Sequence, residues 1–404
     1  MLNRALLKIL PLFFIWSIIH SSQSNFWNTF LEDPSNVAIT EFTPLDFTII
    51  NSSNVWGETE PCGWPKNPLG GLARKATIID ESISNGESLV LVDAGDLLFH
   101  KSALYEGKDN MDGAKIRANI IVDSYNEMGY HAFTPGSKDF ALGIEYLRKM
   151  EAKSNFDYIS CNLFNSFTSK QLFNSYAIEE INGYRIGYIG AASSFNKDSV
   201  LVKEPIDLIV STSEKIKNKT DFIILLFNGT DSDIKRLQKK DPSIDLILRS
   251  RGSSRTSENG GKGEIPVYSS GSKGKYVNKI DININVDSED LVDLDLERKN
   301  IRLSKKHLKN KKKGDSNANL DELYKDNQKI LKDIEYHRNV IEASNAKIDN
   351  ANNSIETTKI ALNTKVASKP EILLIVDTGM ATIPEGPPRI DHSGHNHKHH
   401  NHNH

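Results

Sequence analysis

Short apolar runs punctuated by Gly, Asp, Asn or Ser recur from about residue 46 to residue 293. Those at 47–50, 89–92, 158–160, 184–189, 222–226, 244–248 and 266–268 have the length and the bounding residues of buried strands. Residues 71–84, 113–128 and 142–154 carry apolar side chains at helical spacing between them. Strand–helix alternation of this kind predicts an α/β domain with mostly parallel strands, placed at 46–297. In such sheets chemistry gathers in the loops that leave the carboxyl ends of the strands, so candidate residues are sought there.

Beyond residue 297 the pattern changes. Lys305, Lys306, Lys309, Lys311, Lys312 and Lys313, broken by Gly314, predict a basic linker at 298–319, either a solvated hinge or a contact with an anionic surface. Residues 320–366 lack Pro and Gly, which permits a long helix. There Ile334, Ile341, Ile348, Ile355 and Leu362 repeat every seven residues. The companion stripe of Leu323, Ile330, His337, Ser344, Ala351 and Thr358 is poor, so the expectation is a weak coiled coil or a helix lying on a protein partner. After Pro370, the run from Glu371 to Val376 reads as one more buried strand, followed by a Pro-rich stretch that completes 367–390.

The chain opens with Arg4 and Lys8, an apolar core at 9–19, then Ser22 and Ser24. That order predicts a secretory signal at 1–24 followed by a linker at 25–45, with an uncleaved anchor as the alternative. The apolar core is shorter than the roughly 20 residues of a spanning helix, so no membrane span is expected after cleavage. Export, with a periplasmic destination, places Cys62 and Cys161 where one disulfide can form, or they stay as two thiols. Neither belongs to a Cys-x-x-Cys pair, which excludes a thiolate zinc motif.

Among 404 residues, 50 Lys and Arg face 53 Asp and Glu, a net charge of −3 that gives no reason to expect a nucleic-acid partner. Histidine is skewed. Of 12 in the chain, His392, His395, His397, His399, His400, His402 and His404 crowd into 391–404 among Ser, Gly, Asn and Lys. Such a tract buries no core and predicts a disordered tail whose imidazoles suit Zn, Ni or Cu. A cloning tag is the other reading, against which stand the Asn and Lys interruptions.

The loops then become specific. Asn51-Ser52-Ser53-Asn54-Val55-Trp56-Gly57 follows a strand, Leu69-Gly70-Gly71-Leu72-Ala73-Arg74 comes next, and then Asp93-Ala94-Gly95-Asp96. Further on stand Gly136-Ser137-Lys138-Asp139-Phe140 and the blocks at 222–228, 245–256 and 266–276. In order and spacing these resemble the metallophosphoesterase (calcineurin-like) domain of the bacterial exported 5'-nucleotidases and UDP-sugar hydrolases, over roughly residues 47–293. The segment Glu60-Pro61-Cys62-Gly63 also resembles an exported subgroup with a Cys-Gly-Cys there, Trp64 standing at the second Cys. The resemblance implies an αββα sandwich, followed here by the helical segment and the His-rich tail.

It also implies two divalent metals held by Asp, His and Asn. The family's Asp-x-His pair falls on Asn54 and Trp56, the bridging Asp on Asp96, the Asn-His pair on Ser137 and Lys138, the next His on Asn228, and the last His motif near Arg251 and Ser253. No histidine remains at these positions, so a dinuclear Mn or Zn centre is not expected. The expected result is a catalytically degenerate domain. Lys138 would neutralise Asp96 or Asp93, or else Lys138, Arg249, Arg251 and Arg255 would form an anion pocket for a phosphate-bearing small molecule. Two alternatives remain: a hydrolase with a centre rebuilt around Asp96, His100 and Asp139, and a metal-delivery protein built on the tail. A family C-terminal domain that sandwiches the nucleobase is not expected in the short, polar stretch after residue 293.

Overall fold

The computed structural model describes residues 44–106, 108–252, 265–286 and 291–384. The signal and linker expectations at 1–43, the site positions Ser253 and Arg255, and the seven tail histidines lie outside them.

The domain alternates as its sequence predicts. Strand β1 (Leu45–Ser52) leads to helix α1 (Leu72–Ser84), β2 (Leu89–Asp93), α2 (Met111–Met128), β3 (Ala132–Phe133), α3 (Gly143–Lys153) and β4 (Asp157–Tyr158). Then come β5 (Tyr176–Ile181), β6 (Tyr184–Ala192), α4 (Pro205–Ile216), β7 (Phe222–Asn228), α5 (Asp231–Gln238), β8 (Leu246–Arg249) and β9 (Val267–Tyr268). The last elements are β10 (Tyr276–Ile284), β11 (Val292–Asp293), α6 (Leu294–Lys311), α7 (Gln328–Asp349), β12 (Asn353–Ala361) and α8 (Pro370–Met380).

Two large sheets result, ordered β11-β12-β10-β1-β2-β3-β4 and β9-β8-β7-β6-β5, beside two short two-stranded pairs. Their centres are parallel: β1 with β2 and β2 with β3 in one, β6 with β7 and β7 with β8 in the other. Side chains alternate between faces along each strand. Ile49, Val90, Val92, Ile224, Leu226, Leu246 and Leu248 meet between the sheets. Ile50 and Leu91 turn the other way, toward α1, α2, α3 and α8. Ile223, Leu225 and Ile247 turn toward α4 and α5. The layers are therefore helix, sheet, sheet, helix.

Three expectations about the C-terminal half need correction. The basic stretch at 298–319 is helical through Lys311, because Asp293 caps α6 by accepting from the Leu296 N–H and Glu297 and Ser304 are buried along it. The segment at 320–366 is not one helix. It holds a single turn at Leu320–Leu323, then α7, and after Asn350 it turns into β12. Ile355 of the heptad stripe is therefore a strand residue in the core between the sheets. β12 pairs with β10 from Asn353 opposite Ile284 to Ala361 opposite Tyr276, which carries the domain past residue 297.

Glu371–Val376 is helix α8 rather than a strand. Five consecutive apolar residues fit either state by pattern alone. Pro370 decides it, standing at the first turn where its missing N–H costs nothing. Ile372 and Val376, one turn apart, are buried in the core that also holds α1 and α2. Gly379 lets α8 approach closely: a Cβ there would lie 2.5 Å from Ile120 Cγ1. No helix among the described residues is long and apolar enough to cross a membrane. Cys62 and Cys161 are both free thiols, the second buried.

Candidate functional site

Asn54, Asp96, Ser137, Lys138, Asn228 and Arg251 all lie at or just past the carboxyl ends of the parallel strands β1, β2, β3, β7 and β8, where the fold places them in one region. The loops are zipped together by backbone bonds: Asn54 N–H to Gly95 O at 2.9 Å, Trp56 N–H to Asp96 O at 3.0 Å, and Gly57 N–H to Leu97 O at 2.9 Å. Four non-glycine residues here have positive φ: Asn54 at 52°, Trp56 at 59°, Asp96 at 55° and Arg251 at 66°. Asn and Asp enter this region readily, but Trp and Arg do so at a cost, and such strain gathers at functional sites.

Each of these side chains has partners within the protein. The Asn54 amide donates to Gly252 O and Gly271 O, both at 2.9 Å, and its Oδ1 accepts the Arg251 N–H at 2.9 Å. Asn228 Nδ2 donates to Ser250 Oγ at 2.7 Å, and that hydroxyl donates to Ala94 O at 2.5 Å. Asp96 Oδ1 accepts the Lys138 backbone N–H at 3.0 Å. Burial raises the Asp96 pKa, opposed by that N–H, the Lys138 charge, the Asn228 amide and the Arg251 charge. Gly136 is held close to this group: a Cβ would sit 2.5 Å from Asn228 Nδ2 and closer still to Asp96 Oδ1. Ser137 is half-buried at the start of the short 3-10 helix Ser137–Phe140.

The expected pairing of Lys138 with Asp96 or Asp93 is replaced by a different arrangement. The Lys138 ammonium stands 3.6 Å from the centroid of the Trp56 ring, a cation–π contact, and only its backbone N–H reaches Asp96. Burial lowers the Lys138 pKa, with Asp96 and Asp139 pulling it back up. Asp93 faces the other way, toward the helices. Its Oδ2 accepts Ser52 Oγ at 2.7 Å and Tyr125 OH at 3.0 Å, and both hydroxyls accept Lys75 Nζ, at 3.1 and 2.8 Å. All of these side chains are buried. Burial pushes Asp93 up to about 6 and Lys75 down to about 8, each opposed by the other's charge. Lys75 was the missed residue, and its signal was a lysine set among Leu72, Ala76 and Ile79 on the apolar face of α1.

The arginines of the expected anion pocket are committed elsewhere. Arg249 is buried, donates Nε to Gly229 O at 3.0 Å and pairs with Asp231. Arg251 donates to Ser193 O and Ser194 O at 3.1 and 2.9 Å. The rebuilt centre around Asp96, His100 and Asp139 does not assemble either. Both Asp139 oxygens accept backbone N–H groups, Oδ2 from Asp96 and Gly136 and Oδ1 from Leu97 and Leu98, all at 2.8–2.9 Å. That carboxylate fastens the 96–98 loop. Burial and the Asp96 charge raise its pKa, against the pull of those donors. His100 is exposed on the rim, and these three residues do not form a metal-sized cluster among the described residues.

Two buried polar atoms at the site lack a protein partner, Asn228 Oδ1 and Trp56 Nε1. One carboxylate and one amide oxygen fall short of the four to six donors that each metal needs, so the residues present do not fit a dinuclear centre. Beside the site opens a cleft of 540 Å³ lined by Trp56, His100, Lys108, Arg117, Lys273 and neighbours. Lys273 pairs with Glu58 at 3.6 Å and Lys101 with Asp109 at 2.5 Å. Lys108 and Arg117 form no ion pair with a carboxylate among the described residues.

No family model matches the chain. It is 30% identical over 161 residues to a 2',3'-cyclic-nucleotide 2'-phosphodiesterase/3'-nucleotidase of Yersinia enterocolitica, covering 36% of this chain and 24% of that protein. The Haemophilus influenzae protein of the same name is 26% identical over 186 residues, 40% of this chain and 27% of that one. The chain thus spans about a quarter of the length of these curated relatives. Among solved structures, a 5'-nucleotidase precursor from Thermus thermophilus superposes with a TM-score of 0.50 at 20% identity, over 61% of this chain and 53% of that one. A Haemophilus influenzae NAD nucleotidase gives 0.50 at 15% identity over 60% and 48%.

Proposed function

We propose that the chain is an exported member of the 5'-nucleotidase-like, calcineurin-type metallophosphoesterases, to which its similar relatives and its fold point, and that it binds a phosphate-bearing ligand without hydrolysing it. One observation carries this reading: the positions that correspond to metal ligands hold Asn54, Trp56, Ser137, Lys138, Asn228 and Arg251. Several of these are tied into hydrogen bonds and a cation–π contact of their own. Asp96 is the remaining carboxylate there, and no step of metal-activated water attack is derived through it.

In this reading the ligand enters the cleft beside Trp56, where Lys108 and Arg117 supply positive charge and the indole supplies a flat apolar wall. The tail at 391–404 adds a chelating segment for Zn, Ni or Cu. Secretion through the segment at 1–24 matches the composition of that segment.

The test has two arms. Turnover of a 5'-nucleotide, a 2',3'-cyclic nucleotide and a chromogenic phosphodiester is measured with added Mn²⁺, on the natural chain and on Asp96→Ala. Equal background in both is expected, and Mn²⁺-dependent turnover that Asp96→Ala abolishes would overturn the reading. Calorimetry with nucleoside monophosphate at low salt is expected to show binding that Arg117→Gln weakens. No heat of binding would remove the ligand and leave a scaffold.

A further inference from the structure

The helical hairpin of α6 and α7 carries a group that the proposed function does not use. His307 on α6 and Asp333 and His337 on α7 point at one another, the last two one turn apart on the same helix face. His307 Nε2 lies 2.8 Å from Asp333 Oδ2, and His337 Nε2 lies 3.8 Å from Asp333 Oδ1. All three donor atoms fall within 4.8 Å of one another, and no other group of this kind occurs among the described residues. Ser304 Oγ lies 3.1 Å from His337 Nδ1, which leaves Nε2 as the nitrogen facing the carboxylate. The imidazole rings stack with centroids 4.0 Å apart.

We propose that His307, Asp333 and His337 are a metal site for a borderline divalent cation of the Zn²⁺ type, and that the bound ion fastens α6 to α7. Two imidazoles and a carboxylate are donors that Zn²⁺ and Co²⁺ accept together. A tetrahedral ion with bonds of about 2.0–2.1 Å separates its ligand atoms by roughly 3.3 Å. The spacings of 2.8 and 3.8 Å, which run to the two different Asp333 oxygens, lie on either side of that value, so side-chain rotations that bring both imidazoles around one ion close the site. The Ser304 hydroxyl is the outer partner that orients a ligating histidine. A fourth position stays open to water.

The cation to be displaced is Lys311, whose Nζ lies 3.0 Å from Asp333 Oδ2. Its long, partly exposed side chain can withdraw into solvent while the metal takes over the carboxylate.

The test uses the full-length chain with the seven tail histidines changed to asparagine, which silences that segment. Titration with Co²⁺ alone, followed by its visible absorption, is expected to show one bound equivalent and a raised melting temperature. His307→Ala, His337→Ala and Asp333→Asn are each expected to weaken binding at least about tenfold, since even lost outer partners cost that much. Melting without metal checks folding. Should His337→Ala prove unstable, His307→Gln on the more exposed partner carries the same test. No saturable Co²⁺ binding in the tail-silenced chain, or binding indifferent to these substitutions, would make the group an ion-paired hairpin contact and overturn the proposal.

Discussion

Replacing Lys75 with methionine tests which cation answers Asp93. The Lys75 ammonium reaches Tyr125 OH at 2.8 Å and Ser52 Oγ at 3.1 Å, and it stands 4.6 Å from the Tyr125 ring centroid. Methionine fills similar volume but leaves Asp93 buried with no opposite charge. Breaking a buried pair from one side costs about 3–5 kcal/mol. Asp93 would keep the Ser52, Tyr125 and Gly95 donors, which places the loss near the lower end, about 3 kcal/mol at pH 7.5.

The pH dependence gives a second handle. Burial already holds the folded Asp93 above the ordinary carboxylate value, to about 6, and loss of Lys75 raises it further. A carboxyl raised in the folded state contributes stability that is present below its unfolded pKa and lost as pH rises through the folded value. The variant should therefore recover on acidification. Near pH 5, where Asp93 is protonated, the cost should fall to about 1 kcal/mol or less. Lys138→Met, by contrast, removes a cation–π contact and should cost about 1 kcal/mol at both pH values. Urea unfolding followed by intrinsic fluorescence reads all three chains. A Lys75→Met cost below about 1 kcal/mol at pH 7.5, or one that grows on acidification, would refute the assignment.

Other substitutions probe the remaining loops. Gly136→Ala drives a methyl against Asp96 and Asn228 and should cost about 1–3 kcal/mol in thermal melting; a neutral result would mean the loop is looser than described. Asp139→Asn leaves two of four backbone N–H groups facing an amide that cannot accept, a loss of about 3 kcal/mol at neutral pH. Ile372→Ala, in the buried face of α8, should cost about 2–5 kcal/mol, whereas a surface strand would lose less than about 0.5 kcal/mol.

Much of residues 44–250 was legible because α/β segments announce themselves: β2 and β7 are nearly continuous apolar runs, and α1 and α3 have apolar positions three and four apart. The C-terminal half was harder for physical reasons. β12, Asn-Ser-Ile-Glu-Thr-Thr-Lys-Ile-Ala, is polar at six of its nine positions and lacks the alternation of a strand, and its Ile355 continued a seven-residue spacing by coincidence. The run at 371–376 fits strand or helix until Pro370 is seen to start a helix. At the site, the positions themselves were readable from ordered motifs, but the partners were not. Nothing local in sequence says that Asp139 would fasten the 96–98 loop, that Lys138 would turn to Trp56, or that Lys75 would serve Asp93. Each of those pairings joins residues 18 or more positions apart. His307 escaped notice because 298–319 reads as a linker, and its partners 26 and 30 residues on appear only once α6 and α7 fold back on each other.

The claim on which the account depends is that the loops around Asp96 do not gather two metal ions. Crystals grown with Mn²⁺ and measured at the manganese absorption edge test it directly. The account predicts no anomalous peak within bonding distance of the Asp96 carboxylate. A pair of peaks about 3.5–4 Å apart beside Asp96, the spacing of a dinuclear hydrolytic centre, would contradict it.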